Sequence, residues 1–425
     1  MPSQKTGTQH GPLGYRTIAC ASHWYLSGAH IFEQRLLGAL ISMGMDARLL
    51  LTGDEANAVR DRKDLMALPR NIRVERLPVT RRTSWTTRWV ELIDLLAHSG
   101  TCIFLPNVDY RHSCVSPKLP ANVCVVGVLH GDDALHYEHV QRLGRFWDAI
   151  VCVSPTIARK VLALDQSLAP RLHVIPNAVE VPEQFPARPR RNSRLRIVYH
   201  GVLNSYPKRI LDLAAILDAC ERSKIPVSMT VAGEGPQKNE LLRACERHIK
   251  SGSFRYLGLL SHDRVEEVLR DHDVYLLPSA LEGMPYALLE AMSQGCIPVV
   301  TDIESGIPEL IRDGVNGYRI PVGDIGGFAA RLQTLQADPG LRNGMAAEAY
   351  RTLVGSCYEF RAMVQSYVRV FDQAVEAARS GAFRRPQGRI IPPPRAVSGF
   401  RLRLQAGKLS WPIPTWLTSR IRLRH

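Results

Sequence analysis

Two carboxylates bracket a glycine–proline turn in the segment Glu282-Gly283-Met284-Pro285-Tyr286-Ala287-Leu288-Leu289-Glu290. The apolar run DVYLLPS before it reads as a strand, and the residues from Tyr286 to a closing Gly295 read as a helix. Pro285 suits a first helical position, where a missing N–H costs nothing. Gly283 allows backbone to approach a ligand closely. The N–H groups exposed at such a helix start suit an anion, a diphosphate in particular. Glu282 lies in the loop and Glu290 more than one turn inside the helix. So placed, the two can reach different hydroxyl groups of one extended ligand. Taken singly, Glu282 reads equally as a helix cap and Glu290 as a solvated helical residue.

Other residues stand where strands end. His130 closes the apolar run NVCVVGVLH and precedes Gly131-Asp132-Asp133. Adjacent acids raise the question of a metal, which their place in a loop leaves open. Ser27-Gly28-Ala29 lies between the first strand and its helix, where small residues let backbone N–H groups meet a phosphate or another ligand. A simple turn explains that tripeptide equally well.

These residues need a frame, and the hydrophobic pattern supplies one. At 425 residues the chain exceeds the roughly 250–300 at which single cores stop growing, so two domains are expected. Apolar runs bounded by turns, YRTIACAS, DARLLLT, TCIFLPN, NVCVVGVLH and AIVCVSP, alternate with helical stretches. That is the signature of βαβ units with a parallel sheet. The pattern pauses at VIPNAVEVPEQFPARPRRNS, rich in proline and charge, which reads as a linker. It restarts with LRIVYHG, VSMTVAG, FRYLGLL, DVYLLPS and IPVVTD. The expectation is an α/β protein of two Rossmann-like domains facing each other across a cleft, with ligands beyond the carboxyl ends of the strands. Residues 1–13 are set apart as a flexible N-terminus, 14–178 as the first domain, 179–193 as the linker and 194–357 as the second domain. Residues 358–380 form a terminal helix packing back toward the first domain, and 381–425 a basic tail.

Composition narrows the classes. Hydrophobic residues at 45% and charged residues at 22% are ordinary for a globular protein. No run of about 18 apolar residues occurs, and the first twenty residues lack the apolar core of a secretory signal. The nine cysteines are scattered, without a C-x-x-C pair, and read as buried free thiols in a reducing cytosol. Of the net charge of +14, ten Lys/Arg lie beyond Ser380 without an Asp or Glu, so the rest of the chain is near balance. A nucleic-acid partner is therefore not expected. The tail mixes Arg with Trp411, Trp416 and Ile421, and Arg81, Arg82, Trp85, Arg88 and Trp89 form a second basic-aromatic stretch. Both suit an anionic membrane surface. The expected location is cytoplasmic, peripheral at the inner face of the plasma membrane.

The string P-S-x-x-E-G-M-P-x-x-L-L-E-A-M-x-x-G-x-P-V-V resembles the nucleotide-binding signature of family 4 glycosyltransferases, with its Glu-x7-Glu. Leu-x-Val-Ile-Pro-Asn-Ala-Val (172–179) is similar to the family's interdomain segment. Val-Ala-Gly-Glu-Gly-Pro (231–236) and Tyr256-Leu-Gly-Leu-Leu resemble its strand-turn and base-binding strand. Glu309-Leu-Ile-Arg-Asp-Gly-Val-Asn-Gly-Tyr resembles the segment closing its sugar-nucleotide pocket. The resemblance covers roughly residues 14–335, strongly in the second half.

It implies the GT-B fold and a retaining transfer of a sugar from a nucleotide-diphosphate sugar to an acceptor hydroxyl of a glycan or lipid-linked glycan. It implies no metal and no further cofactor. Glu290 would accept from the ribose hydroxyls and Glu282 would contact the transferred sugar. Backbone at Gly283, Met284 and Pro285 would line sugar and phosphates, and backbone from Leu257 to Leu259 would read the base. His130 would point at the donor sugar. Lys208 would neutralise the diphosphate. The family's Arg follows the glycine that ends the first strand of the second domain, here Gly201, but Val202 stands in its place. Either Arg209 or another basic residue supplies the second charge, or leaving-group stabilisation is weaker. A weak or inactive sugar-nucleotide-binding partner subunit is the alternative that Val202 favours. A phosphorylase is disfavoured because the lysine cofactor site expected of one is not identifiable in this sequence. A dinucleotide dehydrogenase is disfavoured because neither half has G-x-G-x-x-G after its first strand.

Overall fold

The computed structural model describes residues 14–24, 27–53, 68–80, 82–107, 109–186 and 194–393. Among them, thirteen strands form two sheets in which every pairing is parallel. The first sheet holds β1 (Arg16–Ala21), β2 (Asp46–Leu51), β3 (Arg73–Arg76), β4 (Cys102–Leu105), β5 (Val123–Leu129), β6 (Ala149–Cys152) and β7 (Leu172–Val174), in the order β3-β2-β1-β4-β5-β6-β7. The second holds β8 (Leu195–His200), β9 (Val227–Ala232), β10 (Phe254–Gly258), β11 (Val274–Leu277), β12 (Ile297–Thr301) and β13 (Tyr318–Ile320), in the order β10-β9-β8-β11-β12-β13. Helices cover both faces, so central strands are buried throughout and read as unbroken apolar runs. In β4 and β5 all eleven residues are buried.

Three strands carry little of that signal. β3, with sequence RVER, is partly exposed on the sheet edge, and β7 and β13 are three residues each. All three were invisible as apolar runs.

Each sheet has a switch point, where the strand order changes direction. It falls between β1 and β4 in the first domain and between β8 and β11 in the second. Chains leaving two neighbouring strands there turn to opposite faces and open a crevice. Helix α1 (Gly28–Ser42) follows β1 and buries Phe32, Leu36, Leu37 and Leu40. Helix α2 (Trp85–Ala97) precedes β4, α3 (Ala134–Leu143) follows β5, and α4 (Pro155–Leu164) follows β6. In the second domain, α5 (Tyr286–Ser293) follows β11.

The chain crosses between the domains twice, and the two crossings are paired. Val179 N–H donates to Tyr358 O, and Phe360 N–H donates to Val179 O, at 3.0 and 2.9 Å. Helix α6 (Phe360–Ser380) then lies on the first domain. It buries Met363, Val364, Tyr367, Val370, Phe371, Ala374 and Val375, a stripe at helical spacing. Tyr367 packs on Phe32 of α1, and Tyr15 hydroxyl donates to Asp372 at 2.9 Å.

Residues 381–391 do not behave as the first part of a basic tail. They continue along the first domain, with Gly388 N–H on Pro117 O and Ile391 N–H on Cys114 O. Arg385 is buried, and donates to Asp148 and to the carbonyls of Leu119, Pro120 and Val123. Arginine in a Pro-rich context looked solvated, but here its charge is a structural anchor. Residues 394–425, residues 1–13 and the end of the linker, 187–193, lie outside the described residues.

Candidate active site

The loops leaving the two switch points face each other, and they carry the residues singled out by sequence. Lys208, in the loop after β8, donates from Nζ to Glu282 Oε1 at 2.6 Å. Glu282, in the loop after β11, is buried. Next to it Gly283 meets the first domain. A Cβ there would stand 2.1 Å from the His130 carbonyl oxygen and 3.3 Å from Val153, so glycine is what permits the contact. The same turn is held by Gly306 N–H on Gly283 O at 2.8 Å, and by Asn177 Nδ2, which donates to Met284 O at 2.6 Å. Pro285 is the N-cap rather than the first helical residue, with Tyr286 opening α5.

His130, at the end of β5, has its ring edge-on to Phe32 and 2.8 Å from Asn107 Oδ1 through Nε2. Asn107 follows β4 and has φ of 50°, so the ring is steered by a residue at the switch point itself. Burial, with the charges of His136 and His30 adding to it, pushes the His130 pKa down to about 3. The ring is therefore a neutral hydrogen-bonding group at ordinary pH. Glu33 of α1 is buried at 1% exposure, with His30 Nε2 4.0 Å away. Burial pushes its pKa well above the usual carboxylate range, and the nearby Asp109 charge adds to this.

Glu290 is engaged from the other domain. Arg35 Nη2 of the first domain donates to its Oε1 at 2.6 Å, while His200 of its own domain has Nε2 3.7 Å from Oε2. Arg35 was not singled out by sequence, because an arginine between Gln34 and Leu36 looks like any solvated helical residue. Two further bridges cross the interface. Lys160 of α4 lies 2.8 Å from Asp132 and 3.2 Å from Glu304. Glu309 accepts from Thr156 N–H and Oγ1 at the start of α4, at 3.2 and 3.0 Å.

Several residues stand elsewhere. Arg209 is turned away from Glu282: its Nε donates to Asp212 at 2.8 Å and its Nη2 extends toward Gly323. It does not stand in for the arginine missing at Val202, which is 40% exposed. Gly201, with φ of 147°, and Gly233 make a close turn; a Cβ on Gly233 would meet Gly201 O at 1.9 Å. Leu257 and Leu259 lie at the end of edge strand β10, with Leu259 exposed. Gly28 opens α1 beside its cap Ser27, and a Cβ there would meet nothing within 4 Å.

Asp133 caps α3 and accepts from His136, while Asp132 accepts from Lys160 and the Tyr137 hydroxyl, so both acids serve structure. Arg88 is buried, donating to the carbonyls of Thr52, Thr80 and Thr83, and is no part of a basic surface. Arg81 lies outside the described residues. Among the described residues, Asp218, Glu221 and His248 converge as metal ligands would, but Arg247 already lies 2.6 Å from Asp218 and 3.0 Å from Glu221. All nine cysteines are free thiols; eight are buried and Cys357 is exposed.

Two parallel-sheet, Rossmann-like domains with facing switch points make up the GT-B architecture. Residues 180–352 match the family Glycosyl transferases group 1, which places a domain of that kind in the second half of the chain. Glycogen synthase of Mycobacterium tuberculosis is 27% identical over 244 residues, 57% of this chain and 57% of that protein. The putative colanic acid biosynthesis glycosyltransferase WcaL of Salmonella typhimurium is 36% identical over 129 residues, 28% of this chain and 32% of that protein. The chain thus spans about half or less of these relatives' length. The structure of TarM from S. aureus in complex with UDP has a TM-score of 0.65 at 12% identity, covering 84% of this chain and 100% of that one. At that identity the likeness concerns the fold. No helix among the described residues is long and apolar enough to cross a membrane.

Proposed function

We propose that the chain is a retaining glycosyltransferase of the Glu-x7-Glu, family 4 type. It moves a sugar from a nucleotide-diphosphate sugar to an acceptor hydroxyl, in the building of a polysaccharide or glycolipid. The observation that carries this reading is the Lys208–Glu282 ion pair beside Gly283, whose backbone meets the His130 carbonyl of the first domain where the two switch points face each other. In it, Glu290 holds the ribose, Glu282 the transferred sugar, and Lys208 meets the charge developing on the leaving diphosphate. Cations placed there are worth several kcal/mol in the transition state, about 3–4 for one donor. Neutral His130 hydrogen-bonds the sugar rather than moving a proton. The leaving phosphate takes the proton of the acceptor hydroxyl on the same face, which leaves the anomeric configuration unchanged. The chemistry so proposed calls for no metal or cofactor.

A second reading is a binding subunit without turnover, favoured by exposed Val202 and by Arg209 turning to Asp212. Incubation with UDP-, GDP- and ADP-sugars separates the two. Release of nucleoside diphosphate with glycoside formation supports the transferase, and binding without release supports the subunit. Cytoplasmic location with peripheral contact to an anionic membrane through the basic tail is part of the proposal. Flotation with anionic vesicles, lost on truncation after Ile391, supports it; absence of flotation by the full chain contradicts it. Cutting after Ser380 would also remove the Arg385 anchor and confuse the two effects.

A further inference from the structure

The carboxylate assigned to the ribose is held by the opposite domain. Arg35 sits on α1, 255 positions before Glu290, and its Nη2 donates to Oε1 at 2.6 Å. The side chains of the pair are 20% and 14% exposed, so solvent screens them only in part. The guanidinium lies over the ring of Tyr286, the first residue of α5, 5.1 Å from its centroid. Its Nη1 is enclosed and donates to no acceptor among the described residues. An arginine seated this way is fixed by the aromatic face on one side and the carboxylate on the other.

We infer that Arg35 is a positioning residue for the nucleotide's ribose. It fixes the rotation of the Glu290 carboxylate. The inference rests on the donor-site reading of Glu290. A carboxylate presents about four lone-pair directions, so an arginine on Oε1 is compatible with hydroxyl donors on the same group. Because Arg35 belongs to the first domain and Glu290 to the second, the ribose contact is complete only when the domains meet. Nucleotide binding and domain closure become one equilibrium, each favouring the other.

The test compares ribose recognition in the full chain before and after the arginine is removed. Calorimetric affinities for UDP, GDP and ADP are measured beside those for their 2′-deoxy counterparts, in the parent, Arg35→Met and Arg35→Lys. Thermal melts check that each variant folds, and Arg35→Lys, which keeps the charge, serves if Arg35→Met does not. The parent prefers the ribo form, and Arg35→Met cuts that preference about fivefold, the size of one weakened hydrogen bond. The 2′-deoxy affinity stays close to the parent's, and Arg35→Lys keeps part of the preference. An undiminished preference in Arg35→Met overturns the inference alone. So does equal loss of affinity for ribo and deoxy forms, which marks a merely structural arginine. A parent without any ribo preference overturns the donor-site reading of Glu290 itself.

Discussion

Lys208 and Glu282, 74 positions apart, meet through a 2.6 Å ion pair where the loops after β8 and β11 leave the second sheet's switch point. A lysine whose counter-ion stands beside the proposed sugar site is poised to follow negative charge from carboxylate to leaving phosphate. Lys208→Met is expected to lower turnover about 10²–10³-fold, as loss of one preorganised donor does. Arg209→Met, whose parent side chain is bonded to Asp212, is expected to leave turnover near the parent's. Steady-state rates of both variants check the contrast; equal losses would contradict it.

Gly283→Ala is the steric probe of the domain contact. The added Cβ would sit 2.1 Å from the His130 carbonyl, a backbone atom that cannot swing aside. The expected cost is about 1–3 kcal/mol, as for other overpacked sites, together with slowed transfer. Denaturant midpoint and turnover, measured on the same preparation, both fall if the contact forms in solution.

Glu33 gives a pH prediction. Its folded pKa is raised, so its contribution to stability is fully present below the unfolded carboxylate pKa and is lost as pH rises toward the folded value. Glu33→Gln removes that loss. The variant should be more stable than the parent at pH 7–8, by about 1.4 kcal/mol for each pH unit above the unfolded pKa up to the folded one. At pH 4 the two should be close. Urea unfolding at both pH values measures it, and a variant less stable at pH 8 would show a charged, engaged carboxylate.

Arg385 is the anchor of the strap after α6. Arg385→Ala leaves Asp148 buried without its guanidinium and strips three carbonyls of a donor. The expected loss is about 3–5 kcal/mol, against under about 0.5 for exposed Arg384→Ala. Chemical denaturation of the two variants side by side reads the difference.

The strands at the heart of both sheets were legible because parallel strands buried on both faces spell continuous apolar runs, as VCVVGVL of β5 and VYLL of β11 do. β3 was not, because its RVER lies at the sheet edge and needs no such run. Glu282, Gly283, Lys208 and His130 stood out because they match the family 4 pattern at or beyond the carboxyl ends of strands. Arg35 and Arg385 did not, since their meaning comes from partners 255 and 237 positions away, Glu290 and Asp148. In sequence Arg209 is a candidate for the charge missing at Val202. The one-residue step from Lys208, at a φ of 51°, sends the two side chains to different acids.

The most direct measurement is calorimetric titration of UDP, GDP and ADP into the parent and Glu290→Ala. At least one diphosphate should bind the parent, and Glu290→Ala should bind it about ten- to a hundredfold more weakly, the cost of losing charged hydrogen bonds to a ribose. Equal affinity in the two proteins, or no binding of any of the three to the parent, would contradict a donor site built on Glu290.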